Sequence, residues 1–308
     1  PALRSRKTSR LPLLLIGNAL LVVYSIGLNL SEYRNVTWSS YFSSLRNLRN
    51  SNASLPLNAN GLKPDIYYII LDGYVRSDVL KDLYDYDNSE FVNNLEMEGF
   101  FVAQQSHSNY AKTILSVPST LNMDYVDTFA PGLDDSKFWW LMEPFIDHSE
   151  VRTLLKSQGY QTVSFSTNWS LTDMNSADIH LAAFPVELTD FEQYLLQTTP
   201  LRLSQPFLQD SASVFTSETQ RRTILHTLGA LDDFVSDPDP VFVFAHILLP
   251  HPPFVLDAEG KPVQSATDFS FKDAEDFEDS SEEYRKGYKG QVEFLNSRLQ
   301  EILTTILQ

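Results

Sequence analysis

The sequence predicts an α/β domain with a mainly parallel sheet flanked by helices, preceded by one transmembrane helix. Short apolar runs rich in Ile, Val, Phe and Tyr alternate with amphipathic stretches along residues 63–308, as in parallel sheets with helical crossovers. A run of twenty uncharged residues lies near the start of the chain. The chain has no cysteine, which excludes disulfide-stapled small domains, zinc ribbons and cysteine nucleophiles.

Charge is divided unequally along the 308 residues, which carry 23 basic and 40 acidic side chains and a formal charge of −17. Residues 1–62 hold seven basic groups and one acidic group, so residues 63–308 carry a net charge of −23. Nucleic acids recruit Lys and Arg, so the acidic domain argues against a nucleic-acid partner.

The N-terminal segments predict an anchor in a lipid bilayer. Residues 1–10 form a basic flank, and residues 11–30 are long enough to cross a bilayer as a helix. The basic end is expected in the cytoplasm, which places the domain outside it, on the cell (inner) membrane. A cleaved signal peptide and a buried soluble helix are the alternatives. Residues 31–62, rich in Ser and Asn, are interpreted as a linker with a short helical tendency at 41–48.

The first half of the domain begins with a buried strand and two helices. Residues 66–71 (IYYIIL) are typical of a strand in a parallel sheet. Residues 89–98 have helical spacing and end at Gly99. A second helix is predicted over 150–158, with Ser149 as its N-cap and Gly159 as its terminator.

Strands and helices continue to alternate in the second half of the domain. Residues 162–166 (TVSFS) predict a strand, and 217–235 predict a longer amphipathic helix. Residues 241–246 (VFVFAH) predict a second strongly apolar strand, and 282–307 a final helix.

Asp72 is the first candidate functional residue, because ligands of open α/β sheets bind beyond the carboxyl ends of the strands. It directly follows the strand at 66–71, and Gly73 lets the chain turn at once. A carboxylate held there is a hard oxygen ligand for a divalent cation. The alternative is a turn residue that caps the next helix.

A second candidate lies in the hydroxyl-rich segment 106–123. Pro118 fits the first turn of a helix with Ser116 as N-cap, which places Thr113 just ahead of the helix N-terminus. Helix N-termini stabilise phosphate and sulfate, and a hydroxyl there beside a metal could ionise and attack. An ordinary polar loop followed by a capped helix is the alternative.

The third candidate is the histidine pair His246 and His251, which lies in a proline-rich segment at the end of the strand 241–246. Imidazoles can ligate a metal, bind an oxyanion or donate a proton to a leaving group. For His246, which ends an apolar strand, a structural core histidine is the alternative.

Four segments occur in an order that resembles the sulfatase-like branch of the alkaline phosphatase superfamily. The chain is most similar to membrane-anchored bacterial hydrolases and transferases related to lipoteichoic acid synthases and phosphoethanolamine transferases. The resemblance covers about residues 63–308. The segments are PDIYYIILDGY (64–74), SNYAKTILSVPSTLNMDY (108–125), LLKSQGYQTVSFST (154–167) and FVFAHILLPHPPFV (242–255).

The resemblance implies an alkaline-phosphatase-like fold and one divalent metal ion, with Mn, Zn, Mg and Ca not distinguished. Asp72 matches the first metal-binding acid. Thr113 matches the nucleophile of the Thr-x-x-Ser pattern of the transferases, and it would also ligate the metal. His251, in His-Pro-Pro-Phe, matches the substrate-contacting histidine, and His246 is expected in the same pocket.

Two departures from the family refine this expectation. Sulfatases carry Cys or Ser in C/S-x-P-S-R, whereas the segment here begins at Ser116 and ends in Thr120, which favours phosphoryl chemistry at Thr113. Ser116 is the alternative nucleophile, and Asn109 and Ser116 are further expected substrate contacts. The family completes its metal site with an Asp-His pair in a D-H-G motif. None follows His251, so the chain is expected to be an incomplete domain.

The sequence thus predicts a metal-dependent hydrolase or transferase that acts on phosphate, or sulfate, esters of envelope lipids or glycans through a threonine nucleophile. The position outside the membrane suits lipid head groups or envelope glycans as substrates. The alternative is a catalytically incomplete pseudoenzyme, or a domain that binds anionic glycans.

Overall fold

A computed structural model describes the following parts of the chain: residue 20, and residues 41–46, 62–133, 139–208, 210–214, 216–235, 239–263 and 281–308.

The centre of the fold is a four-stranded, all-parallel sheet. Its strands are β1 (Ile66–Leu71), β2 (Gln161–Phe165), β3 (Ile179–Leu181) and β4 (Val241–Ile247), in the spatial order β1-β4-β2-β3. The central strand β4 is buried along its whole length, as expected for a strand covered on both faces. The prediction of an α/β domain with a mainly parallel sheet is confirmed, and the predicted strands agree to within one residue.

Helices flank the sheet and fill the connections between strands. Those before β2 are α1 (Ser77–Tyr84), α2 (Ser89–Met97), α3 (Thr113–Leu121), α4 (Val126–Phe129), α5 (Glu143–Asp147) and α6 (Glu150–Ser157). Those after β3 are α7 (Asp190–Thr198), α8 (Gln205–Leu208), α9 (Ser217–Ala230) and α10 (Ser281–Ile306). Short 3-10 turns cover Trp139–Met142, Ser170–Thr172 and Pro200–Ser204.

Alternate residues of β4 pack into different cores. Val243 and Ala245 join a cluster with residues of α9 and α10, whereas Phe242 and Phe244 join a cluster with α3 and α6. This two-residue period is the geometry of a strand. It also means that His246, two residues after Phe244, belongs to the face that carries α3.

The caps predicted for α6 are confirmed. The Ser149 side chain accepts a hydrogen bond from the Arg152 N–H, and Gly159 adopts a φ of +86° just after the helix. Gly99 likewise has a φ of +95° after α2. Glycine favours this left-handed conformation because it has no Cβ.

The start of α3 differs from the prediction. The helix begins at Thr113, with Lys112 rather than Ser116 as the N-cap, and Pro118 lies inside it. The residues around the proline are buried in two cores, with Ile114 on one and Val117 on the other. Because these residues are buried, the helix begins earlier in the chain than the position that the proline suggested. Thr113 is therefore the first residue of the helix rather than a residue ahead of it.

The predicted cytoplasmic flank and transmembrane helix lie outside the described residues, except for Leu20. In the part of the chain that the structure describes, we find no helix with the length and apolar character needed to span a bilayer. Residues 41–46, within the predicted linker, are helical. The Tyr41 side chain is buried there and donates a hydrogen bond to the Leu141 carbonyl at 3.1 Å, so this stretch packs on the domain.

A histidine joins the edge strand β3 to β2. His180 lies opposite Ser164 across the two strands. Because the Ser164 hydroxyl donates to the Met174 carbonyl at 2.9 Å, it accepts from His180 Nδ1 at 2.8 Å. His180 Nε2 lies 3.1 Å from Glu187 Oε2, so both ring nitrogens face acceptors, as in an imidazolium.

The pKa of His180 follows from this arrangement. Burial alone lowers the pKa, but the hydrogen bond and charge of Glu187, with the charges of Asp173 and Asp147, outweigh it and raise the pKa above the ordinary value. Burial likewise opposes ionisation of Glu187, yet the contact with His180 lowers the pKa of that carboxyl.

We expect His180→Gln to lower the free energy of unfolding more at about pH 5.5 than at about pH 8.5. A histidine with a raised pKa stabilises the fold fully below its unfolded pKa of about 6.5, and this contribution is lost as pH rises through the folded-state pKa. Urea unfolding at the two pH values measures the difference. In a Glu187→Gln background the pH dependence should be much weaker, and an undiminished dependence there would contradict the pairing.

Candidate functional site

The candidate residues Asp72 and His246 meet at the carboxyl edge of the sheet, where β1 and β4 end side by side. Asp72 follows β1, and its N–H donates to the Ile247 carbonyl at 2.9 Å, which continues the ladder one step past the strand. The Asp72 carbonyl accepts from the His251 N–H at 3.0 Å. These two bonds join the segment that carries Asp72 to the segment that carries both histidines.

Thr113 comes to the same place from α3. Its hydroxyl donates towards Asp72, with Thr113 Oγ1 lying 3.2 Å from Oδ1 and 3.4 Å from Oδ2. As the first residue of α3, Thr113 lies where helix N–H groups have no carbonyl partner within the helix. The site therefore combines a carboxylate, a hydroxyl and the positive end of a helix dipole.

His246 completes this cluster on the same face of the sheet. Its side chain is fully buried, and Nε2 lies 3.4 Å from Asp72 Oδ2. Within the described residues, Nε2 has no hydrogen-bond partner of good geometry. His246 thus lies at the strand end beside Asp72, and its burial also fits the core alternative.

Asp72 is held as a carboxylate although it is largely enclosed. Burial favours the neutral acid, but the contacts with His246 and His251 and the hydrogen bond from Thr113 outweigh it, and the pKa of Asp72 lies below its ordinary value. An ionised carboxylate with a hydroxyl at 3.2 Å is a suitable pair of oxygen donors for a divalent cation.

The turn after Asp72 is held by the C-terminal helix. Gly73 has a φ of +76°, which glycine adopts without strain, so it permits the turn. Tyr288 of α10 donates to the Gly73 carbonyl at 2.8 Å and accepts from the Val75 N–H at 3.2 Å.

His251 lies beside the site and is half-buried. Its Nδ1 contacts the Pro252 carbonyl, and its backbone bonds to Asp72. The charge of His251 contributes to the lowered pKa of Asp72. The predicted pair of histidines is therefore brought together around Asp72.

The two expected substrate contacts lie on or against α3. Ser116 is half-buried, one helical turn after Thr113 and on the same side of the helix. Asn109 is exposed and donates to Ser119 Oγ at 3.1 Å, so its side chain bonds to the second half of the helix.

Sequence reasoning did not single out Thr172, Thr167 or Asp173, which lie behind His246. Thr172, in the turn Ser170–Thr172, places Oγ1 3.0 Å from His246 Nδ1. The Asp173 carboxylate accepts from the Thr167 N–H at 2.8 Å and from its hydroxyl at 2.6 Å. A hydroxyl-rich segment directly after β2 is the one sequence signal that could have pointed to them.

At this site the Asp72 carboxylate and the Thr113 hydroxyl are possible metal donors, and His246 Nε2 is one only in the tautomer that leaves it unprotonated. The orphaned, buried Nε2 and the ionised carboxylate fit a site that receives a cation or a polar ligand. No cluster of three or more His, Cys, Asp or Glu arranged to hold a metal occurs in the described ranges.

Fold and site together define an α/β protein with a four-stranded parallel sheet and a polar cluster at its carboxyl edge. We found no match for the chain among protein-family models, curated proteins or solved structures.

Proposed function

We propose that the protein is a metal-dependent hydrolase or transferase that acts on phosphate esters through Thr113. The observation that carries the proposal is the position of Thr113, at the first residue of a helix with its hydroxyl 3.2 Å from Asp72 Oδ1. A hydroxyl, a carboxylate and a helix N-terminus are the parts needed to receive and attack a phosphoryl group.

The resemblance to the sulfatase-like branch of the alkaline phosphatase superfamily supports this proposal. It assigns the metal to Asp72 and Thr113 and the substrate contact to His251, three residues that lie around one point of the sheet edge. We also propose that the domain has an alkaline-phosphatase-like fold. Residues 11–30 would anchor the protein in the cell membrane, with the domain outside the cytoplasm.

The proposed chemistry begins with Thr113. Its hydroxyl donates to Asp72, which orients the oxygen lone pairs away from the carboxylate. Oγ1, after losing its proton to solvent water, attacks phosphorus in line, so an O–P bond forms to Thr113 as the bond to the leaving oxygen breaks. A divalent cation bound to Asp72 and Thr113 would favour ionisation of the attacking hydroxyl and offset phosphoryl charge.

The histidines act on the substrate side of this step. His251 and His246 stabilise the developing negative charge, and His251 gives a proton to the leaving oxygen. Water or an acceptor hydroxyl then attacks the phosphothreonine, which restores Thr113 and completes hydrolysis or transfer. The substrates proposed are phosphodiesters of lipid head groups or envelope glycans.

Metal removal tests this function in the full-length protein. We expect turnover of bis(4-nitrophenyl) phosphate, loss of that turnover after treatment with EDTA, and recovery with one of Mn²⁺, Zn²⁺, Mg²⁺ or Ca²⁺. Aryl sulfate should be a much poorer substrate. Retention of an anionic glycan by the metal-loaded protein, without turnover of any phosphodiester, would contradict the proposal and identify a binding domain.

A further inference from the structure

The environment of His246 restricts which of its ring nitrogens carries the proton. Nδ1 faces Thr172 Oγ1 at 3.0 Å, and Nε2 faces Asp72 Oδ2 at 3.4 Å. Because the ring is enclosed by the protein, its tautomer depends on these two neighbours.

The Thr172 hydroxyl has two acceptors within reach, and His246 Nδ1 is the nearer of them. The Trp169 carbonyl lies 3.5 Å from Thr172 Oγ1 and already accepts the Thr172 N–H at 3.1 Å. His246 Nδ1, at 3.0 Å, is the nearest acceptor that remains. The best use of the Thr172 proton is therefore a hydrogen bond to His246.

The neighbouring Thr167 does not compete for the hydrogen bond between Thr172 and His246. Thr167 gives its hydroxyl proton to Asp173 Oδ1 at 2.6 Å and accepts the Trp169 N–H at 3.1 Å. It lies 3.4 Å from Thr172 Oγ1, at the long limit for a hydroxyl pair.

We propose that Thr172 is a positioning residue that holds His246 as the Nε2–H tautomer. In this tautomer an N–H points at the Asp72 carboxylate, whereas the other neutral tautomer would direct a lone pair at that negative charge. His246 is then a hydrogen-bond donor towards Asp72, and Nε2 has no lone pair with which to coordinate a metal.

The tautomer of His246 also bears on the reaction, which rests on the proposed function. Nε2–H is buried and lacks an acceptor of good geometry among the described residues. A buried donor in this state is costly, and the Asp72 carboxylate, with Oδ2 3.4 Å away, is the group placed to receive its proton. His246 would thereby hold the carboxylate beside the Thr113 hydroxyl, which lies 3.2 Å from Asp72 Oδ1.

Nitrogen NMR of the full-length protein in detergent, labelled at histidine, tests the tautomer without any assay of activity. The chain has six histidines, and His246→Gln assigns the signals. We expect a proton on Nε2 and a hydrogen-bonded, unprotonated Nδ1. Thr172→Val should shift Nδ1 towards the position of a free acceptor nitrogen, and Thr172→Ser should restore it. A proton on Nδ1 in the unmodified protein, or no shift in Thr172→Val, would overturn the inference.

Kinetic measurements distinguish the positioning role of Thr172 from the proposed function. If the unmodified protein turns over phosphodiesters, Thr172→Val should lower kcat by roughly 10-fold or more with a smaller change in KM, and Thr172→Ser should retain most of kcat. An unchanged kcat in Thr172→Val would refute the positioning role.

If the unmodified protein shows no turnover, the proposed function fails while the NMR result still decides the tautomer. Thr305→Val, on the exposed side of α10, is the matched control.

Discussion

Replacing Thr113 with alanine is expected to abolish phosphodiester turnover by the full-length protein. The substitution removes the only atom proposed to form a bond to phosphorus, so kcat should fall by at least about 1000-fold. Because the side chain is only half-buried, the fold should survive. Stopped assays with bis(4-nitrophenyl) phosphate, together with circular dichroism of the variant, measure both effects.

Ser116→Ala is the matched control, since Ser116 lies one turn along the same helix and is the alternative nucleophile. We expect this variant to keep most of the activity, and Thr113→Ser to keep part of it because a hydroxyl remains next to Asp72. Turnover that survived in Thr113→Ala but vanished in Ser116→Ala would move the nucleophile to Ser116. Intact mass spectrometry of quenched reactions should locate the phosphoryl group on the peptide that contains Thr113.

Gln291→Leu is expected to lower the free energy of unfolding by about 3–5 kcal/mol. Gln291 of α10 is completely buried, and its Oε1 accepts from the N–H groups of Val255 at 2.8 Å and Leu256 at 3.3 Å. Its Nε2 donates to the carbonyls of Pro250 at 3.1 Å and His251 at 3.5 Å. Leucine would leave these backbone groups buried without partners, and urea unfolding measures the loss.

The same substitution at Gln300 is the control for Gln291. Gln300 lies on α10 as well, but its side chain is exposed and accepts one hydrogen bond from Asn94 at 3.1 Å. Gln300→Leu should therefore change stability by about 0.5 kcal/mol or less. If both variants lost the same amount of stability, the proposed role of Gln291 in holding the His251 segment would be wrong. Gln291→Leu should also reduce kcat, because it releases the segment that carries His251.

Local patterns predicted the regular elements well where burial was strong and caps were clear. The strand Ile66–Leu71 was predicted to the residue, and α6 was bounded correctly by Ser149 and Gly159. The short strand Ile179–Leu181 and the helix Ser77–Tyr84 were missed. The three-residue strand is too short to show a period, and the helix has one fully buried residue, Leu80, which is too weak a pattern to stand out.

Part of the candidate site was also predictable, because the ends of the buried strands could be located in the sequence. The rule that ligands bind beyond strand ends selected Asp72, His246 and His251, and the structure brings them together. The start of α3 was predicted from Pro118 alone, which placed it too late, because burial of the helix overrode the local preference.

The sequence by itself determined that this protein is an α/β domain and that an acid and two histidines lie at or just after the ends of its buried strands. It could do so because burial and the two-residue period of a strand are visible in short stretches of sequence. Only the tertiary structure decided the strand order β1-β4-β2-β3 and the contact between Thr113 and Asp72, which are 41 residues apart. It also decided the support of His246 by Thr172, 74 residues away. Such side-chain hydrogen bonds form between elements that meet only after the sheet has assembled, so no local pattern in the chain specifies them.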